Sequence, residues 1–289
     1  MKRMSQKRYT LDPLGSRVAI RVMRCLFDNL HRYQSVSELS SRLDTSRANV
    51  HRGVDRLDDI GIIRRSRTKG RSMVRIDTSS MNAKPLFLLL NNERVMNLDI
   101  DIRNAINQLL KDIGSERFYS VILFGSHAMG TATEMSDVDL LIVIDDKKTV
   151  KEIRSKVKQL LPEIRMDLHF YEKEQFRRGN DLVLIEAKLH GISIRGVDPL
   201  FEERSVIDHI SKDYLLSRSR SVQENLERSR SVDKDARAYF LKVARRTLTE
   251  ISDVLPIKIK IENSEEDIEK AMFKVKEELS KIGDRVWLN

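Results

Sequence analysis

Between Leu14 and Leu30 the apolar residues Val18, Val22, Leu26 and Leu30 recur every fourth position, which predicts an amphipathic helix with one core-facing stripe. Ser35-Val36-Ser37-Glu38 comes next, a capping box in which the Ser35 hydroxyl and the Glu38 carboxylate can each satisfy the other's free backbone N–H. A short second helix to about Leu43 follows from it. Asp44-Thr45-Ser46 then supplies a turn and an N-cap for a third helix, with Val50, Val54 and Leu57 on its apolar face and Gly61 at its end. Beyond Gly61, Ile62–Arg67 and Arg71–Ile76 flank Thr68-Lys69-Gly70 and read as two short strands about a basic turn.

A Ser/Asn-rich link over Thr78–Lys84 and a largely helical connector to Gly114 lead to Tyr119–Phe124, a buried strand that stops at Gly125-Ser126. Ser136–Ile144 is a second extended apolar run. Ile164–Phe170 alternates, so that Ile164, Met166, Leu168 and Phe170 face one side while Arg165, Asp167 and His169 face the other. From Ser205 onward the pattern is helical, with Ala236, Phe240, Val243, Ala244, Thr247 and Leu248 in one stripe and a final helix over Glu265–Ile282. The Arg/Ser segments Arg218–Val222 and Arg228–Val232 read as solvated helix faces. The expected fold class is therefore α/β (α+β): a helical module with a hairpin, a central mixed sheet, and a C-terminal helical bundle.

Charge changes this picture when it is divided along the chain. Residues 1–77 hold 18 Lys and Arg against 8 Asp and Glu, so the net +9 of the 289-residue protein lies entirely in the N-terminal module. Such asymmetry fits a domain that meets a polyanion, or a solvated basic surface. The opening MKRMSQKRYT is followed by no apolar run, and Lys84–Leu90 falls far short of the roughly 20 residues that cross a bilayer. A cytoplasmic location and no membrane partner are expected. The single cysteine, Cys25, can form no internal disulfide and reads as a small buried hydrophobe.

Chemistry enters with the central strands. Gly125 lets the backbone come close to a phosphate, and Ser126 adds a hydroxyl where a helix should begin. Eleven positions after Ser126, Asp137 and Asp139 stand two apart at the entrance of a strand and so point from one face. Carboxylates held that close repel unless a cation lies between them, which makes them natural ligands for Mg²⁺ or Mn²⁺. Asp167, in the middle of the next strand, needs a partner of its own, and a metal shared with Asp137 and Asp139 supplies one. Three such carboxylates can hold two ions about 4 Å apart, the arrangement that clamps attacking and leaving oxygens in phosphoryl transfer.

Two resemblances follow from these residues. The succession over 14–77 resembles the winged helix-turn-helix family, whose third helix enters the major groove while the hairpin meets the phosphate backbone. That resemblance implies double-stranded DNA as a partner, with Ser46, Arg47, Asn49 and Arg52 on the helix and Arg64, Arg65, Arg67, Lys69, Arg71 and Arg75 on the hairpin as contacts. A dimerisation or protein-docking role, including a homodimer, stays open. Gly125-Ser126, then Asp137-x-Asp139, then Asp167, with Ser136 ahead of the first aspartate and His190–Gly196 closing the region, resembles the minimal branch of the polymerase-beta-like nucleotidyltransferase superfamily.

By that second resemblance Asp137 and Asp139 hold both metals, Asp167 completes the catalytic one and assists deprotonation of the acceptor, and Gly125 and Ser126 hold the triphosphate. A nucleoside triphosphate, ATP in the first instance, is the implied substrate, and a protein or a small molecule the acceptor. His127 departs from the branch, which often has a basic or aromatic residue there; His169 either stands near the metals or packs. The implied domains are a winged helix over 1–80, a connector over 81–114, a catalytic domain over 115–200 and a helical domain over 201–289. The competing reading is a transcription regulator whose nucleotidyltransferase fold only senses nucleotide.

Overall fold

The computed structural model describes residues 15–30, 32–68, 71–114, 117–133, 136–145, 149–160, 165–179, 181–205, 209–255, 261 and 264–287. Two compact units emerge: Met1–Gly179 with Glu186–Val206, and Asn180–Ile185 with Ile207–Asn289.

The first unit begins with α1 (Arg17–Phe27), capped by Ser16, whose hydroxyl accepts from the Ala19 N–H. Its stripe buries Val22 and Leu26 as expected, while Leu30 is buried beyond the helix end. Next come β1 (Gln34–Ser35), α2 (Val36–Arg42) and α3 (Arg47–Asp59). Both halves of the Ser35/Glu38 capping box are made. Ser46 caps α3, Val50 and Val54 are fully buried on it, and the chain leaves it through Gly61 at φ +67°. The hairpin β2 (Ile63–Thr68) and β3 (Arg71–Ile76) completes an antiparallel sheet of order β1-β3-β2. β1 has only two residues, too few to show any periodicity, so the pattern did not reveal it. Cys25 is half-buried, its thiol pushed up by burial and placed to donate weakly to the Gln34 Oε1 at 3.7 Å.

The connector is two helices, α4 (Ala83–Met96) and α5 (Ile100–Ile113). α4 is fixed on both flanks. Towards α1, the buried Glu93 carboxylate accepts two bonds of 2.9 Å from Arg24, and Phe87 stacks between Phe27 and Phe201. Towards the central sheet, the Asn91 amide donates to the Ser193 carbonyl at 2.7 Å and accepts from the Ser193 N–H at 2.9 Å.

That sheet has the order β6-β5-β4-β7. In chain order its elements are β4 (Phe118–Phe124), the short α6 (Gly125–Met129), β5 (Val138–Ile144), α7 (Thr149–Leu160), β6 (Met166–Glu172), α8 (Lys173–Arg178), α9 (Leu182–His190), β7 (Ile192–Arg195) and α10 (Val197–Ser205). β4 runs antiparallel to β5 and β7, whereas β5 and β6 are parallel and joined through α7. The sheet is mixed, as the pattern implied. Its apolar side closes over α5 and α7, with Ile106, Leu109, Leu123, Leu140, Ile142 and Ile153 sealed from solvent. The strand read over Ile164–Phe170 begins at Met166, and Ile164 lies outside the described residues.

The second unit is helical, with α11 (Lys212–Arg230), α12 (Lys234–Val254) and α13 (Glu265–Lys281), and a small ribbon of β8 (His209–Ser211) and β9 (Arg285–Trp287). Here one expectation is overturned. Arg218, Ser219, Val222 and Ser229 of the Arg/Ser segments are buried, and Arg218 pairs with Glu250 of α12 at 2.9 Å, so α11 turns part of these segments inward. On α12 the inner stripe is Ala244, Thr247, Leu248 and Ile251, with Phe240 and Val243 only half-buried. No described helix is long and apolar enough to cross a membrane.

Candidate active site

The register of three strands builds the site. Asp139 on β5 stands opposite Phe124, the last residue of β4, and opposite Asp167 on β6. Because β5 and β6 are parallel and in register, two carboxylates lie side by side on the face away from the core. His169, two positions on from Asp167, shares that face. Its Nε2 lies 3.2 Å from the Asp167 Oδ2, and its ring packs edge-on against Phe124 with centroids 5.4 Å apart.

Gly125 is the residue that lets Asp139 sit where it does. At φ +66° its backbone is in the left-handed region, and a Cβ there would lie 2.9 Å from the Asp139 Cγ and closer still to Oδ2. The carboxylate thus occupies the space a side chain would need. The helix that opens at Gly125 has five residues, so it offers little of the dipole expected from a full helix N-terminus.

One ligand atom each from Asp139, Asp167 and His169 fall within 4.8 Å of one another. Two carboxylates and an imidazole suit a divalent cation, and the electrostatics agree. The Asp139 carboxyl is pushed up to about 6 by burial first, then by the negative charges of Glu186, Asp167 and Asp137. Repulsion of this kind is what a bound cation relieves.

The predicted triad is only partly assembled. Asp139 and Asp167 meet, and His169 takes the third place in the cluster. Asp137 lies exposed ahead of β5 and acts on Asp139 through space as the smallest of the four causes. Ser126 is half-buried beside Gly125. His127 is engaged locally: its Nε2 is 3.3 Å from the Ser136 carbonyl, while the Ser136 hydroxyl accepts from the Thr133 N–H at 2.9 Å. These contacts tie the approach to Asp137 against α6. Sequence reasoning missed Glu186 on α9, which sits in a run with no alternation to single it out.

Residues 103–193 match the nucleotidyltransferase domain family. The match covers β4, β5, β6, the first two residues of β7 and every residue of the acidic cluster. Two proteins of Methanocaldococcus jannaschii that carry the provisional name protein adenylyltransferase are similar to the chain. One is 29% identical over 114 residues, 38% of this chain and 66% of its own length; the other is 39% identical over 62 residues, 20% of this chain and 63% of its own length. The chain thus spans just under two thirds of each. No solved structure matches. Together these findings support nucleotidyl transfer, at a coarse level, as the chemistry of residues 103–193.

The basic residues of the N-terminal module sort differently. Arg65 is held by Asp55 at 2.6 Å and Asp58 at 2.7 Å, which raise its pKa, and Arg64 by Asp77 at 3.2 Å. Arg75 lies over the Tyr33 ring, 4.7 Å from its centroid, and Arg52 donates to Asn49 on its own helix. Ser46 is engaged in its cap. Lys69 lies outside the described residues. Arg67 is exposed on β2, while Arg47 and Arg71 line a recess of about 530 Å³ together with His51, Ser35, Ser37 and Ser72. The carboxylates that occupy Arg64 and Arg65 come from α3 and from Asp77, outside the acid-free stretch that made the hairpin look uniformly available.

Proposed function

We propose that the protein is a metal-dependent nucleotidyltransferase that moves a nucleotidyl group, adenylyl first, from a nucleoside triphosphate to a hydroxyl of a protein acceptor. The observation that carries the reading is the Asp139 carboxylate seated on Gly125 and grouped with Asp167 and His169. A glycine turn packed against two carboxylates and an imidazole supports a phosphate subsite beside a cation. Asp139, Asp167 and His169 would hold a divalent ion, with Asp137 at the strand entrance as the further carboxylate of a two-ion site. When bound, the ions would neutralise charge on the triphosphate and on the departing oxygen. The chain's own part is to position and to move a proton. The backbone at Gly125 and the hydroxyl of Ser126 seat the phosphates. Asp167, exposed and steadied by His169, takes the acceptor proton as its oxygen bonds to the α-phosphorus, and the bond to the bridging oxygen of pyrophosphate breaks. The protein acceptor and the adenylyl donor are suggested by the names of the two relatives.

The test is incubation of the full chain with α-labelled and, separately, γ-labelled triphosphates, Mg²⁺ or Mn²⁺, and cell extract. Transfer predicts label on a protein band with the α-label only, strongest with ATP. Saturable nucleotide binding without any labelled acceptor or pyrophosphate release would favour the nucleotide-sensing regulator instead.

For residues 15–77 we propose a winged helix that contacts duplex DNA. The order helix, strand, helix, helix, hairpin supports it, as does the recess. Arg47, His51 and Arg71 line that recess, and none of the three makes an ion pair among the described residues. Arginines left without carboxylate partners are those able to exchange counterions for phosphates. Arg47, Arg67 and Arg71 become the leading contacts, ahead of Arg64 and Arg65. Gel-shift titration with duplex DNA at several salt concentrations checks it; absence of binding at low salt sinks it.

A further inference from the structure

We infer that Arg94, on a helix outside the segment that matches the family, is a positioning residue for the phosphate-binding turn; this rests on the transferase reading above. α4 ends at Met96, seven positions before that segment begins at residue 103. Yet its last turn reaches into the site. One Arg94 guanidinium donates to three carbonyls: His190 at 2.8 Å, Gly191 at 3.3 Å and Ala128 at 3.5 Å. Ala128 belongs to α6, the five-residue helix that starts at Gly125. His190 and Gly191 form the exit from α9 into β7, four and five residues beyond Glu186, whose charge acts on Asp139.

A five-residue helix has little to hold it in place by itself: the Gly130 and Thr131 N–H groups serve the carbonyls of Ser126 and His127, and the Ala128 carbonyl turns to a donor outside the helix. Arg94 supplies the Ala128 carbonyl with a charged donor at 3.5 Å, the longest of its three bonds. The same guanidinium fixes α6 relative to the end of α9. Any tilt of α6 carries Gly125 with it, and Gly125 has no slack, since Asp139 fills the space over its Cα. Arg94 therefore sets the gap between the phosphate-binding turn and the acidic cluster.

Two neighbours make Arg94 itself well fixed. Asn91, one turn earlier, is forked onto Ser193 by its two bonds. Arg204, fully buried and with its pKa pushed down to about 9 by burial and by Arg94, donates to the carbonyls of Lys188 at 2.6 Å and Gly191 at 2.9 Å. Two arginines thus share the Gly191 carbonyl. Arg204 reaches only the α9 side; Arg94 alone spans to α6.

The experiment compares wild-type full-length protein with Arg94→Met and Arg94→Lys, reading KM for ATP and kcat for acceptor labelling, with Tm alongside. Arg94→Met keeps the aliphatic stem and loses every donor. We expect KM to rise about tenfold while kcat falls far less, because uniform binding of the triphosphate is what is lost. Arg94→Lys, which can still serve one carbonyl, should fall between the two. Unchanged KM in a folded Arg94→Met protein overturns the inference, as does a loss of kcat at constant KM. Should Arg94→Met not fold, a KM for Arg94→Lys equal to wild type overturns it equally. Wild-type protein that labels no acceptor removes the transferase reading itself, an outcome distinct from all of these.

Discussion

Replacing Gly125 by Ala separates a catalytic role from a structural one with a single methyl group. Two costs arise. The first is backbone strain at φ +66°, about 1–2 kcal/mol for a residue with a Cβ in the left-handed region. In a chain of this size that lowers Tm by several degrees at most. The second cost falls on Asp139. A Cβ 2.9 Å from its Cγ and closer to Oδ2 must push the carboxylate back by more than an ångström to reach ordinary contact. The carboxylate is the free end of a side chain, so it can rotate away cheaply; stability suffers little, but the cluster with Asp167 and His169 is lost. Displacement on that scale costs on the order of 100-fold in rate. Gly61→Ala provides the matched control, since Gly61 has φ +67° and nothing within 4 Å of the built Cβ. Both variants should lose similar stability by differential scanning fluorimetry, and only Gly125→Ala should lose acceptor labelling. If Gly125→Ala keeps activity within threefold of Gly61→Ala, the seating of Asp139 on Gly125 has no functional meaning and the argument fails.

Asp139→Asn should abolish transfer yet raise Tm in metal-free buffer at pH 7. The sign follows from the carboxyl's shift from 3.8 to about 6: the fold favours the protonated form, so this group's contribution to stability falls as pH rises from about 4 through 6. The gain in Tm should therefore disappear below about pH 4, and a pH-independent gain would refute the assignment. Asp167→Asn should lower kcat by about 100-fold or more while nucleotide affinity changes little; parallel losses in both contradict a role at the acceptor. Arg71→Ala or Arg47→Ala should flatten the slope of log DNA affinity against log salt by about one unit. Arg65→Ala should leave that slope nearly unchanged, because its charge is already met by Asp55 and Asp58.

The elements with periodicity or a cap were legible in the sequence. Ser35/Glu38 and Ser46 marked their helices, and Val50, Val54 and Leu57 marked the buried face of α3. The site was legible because strand periodicity is strict: Asp167 and His169 two apart had to share a face. What sequence could not supply was the pairing of β5 with β6, and so the choice of which carboxylate meets which. Asp137 looked equivalent to Asp139, but β5 begins at Val138, and only the residue inside the register is held beside Asp167. The ion pairs of Arg64 and Arg65 were hidden for a similar reason. Their partners lie 7 to 13 positions away and meet them only once α3 and the hairpin fold together. Arg218 was misjudged because an arginine between serines resembles a solvated face unless Glu250 of the next helix is known to face it.

The fork of Asn91 on Ser193 means that the segment matching the family model and the segment that covers its sheet edge have different limits. β7 is an outermost strand, and Asn91 supplies both a donor and an acceptor to it, as a short piece of neighbouring strand would. A protein trimmed to residues 103–193 keeps the acidic cluster but loses α4 and the last two residues of β7, leaving that rim open to pair with another copy. The helix joining the two halves of this unit is thus a chaperone built into the polypeptide, keeping the sheet from joining its neighbours.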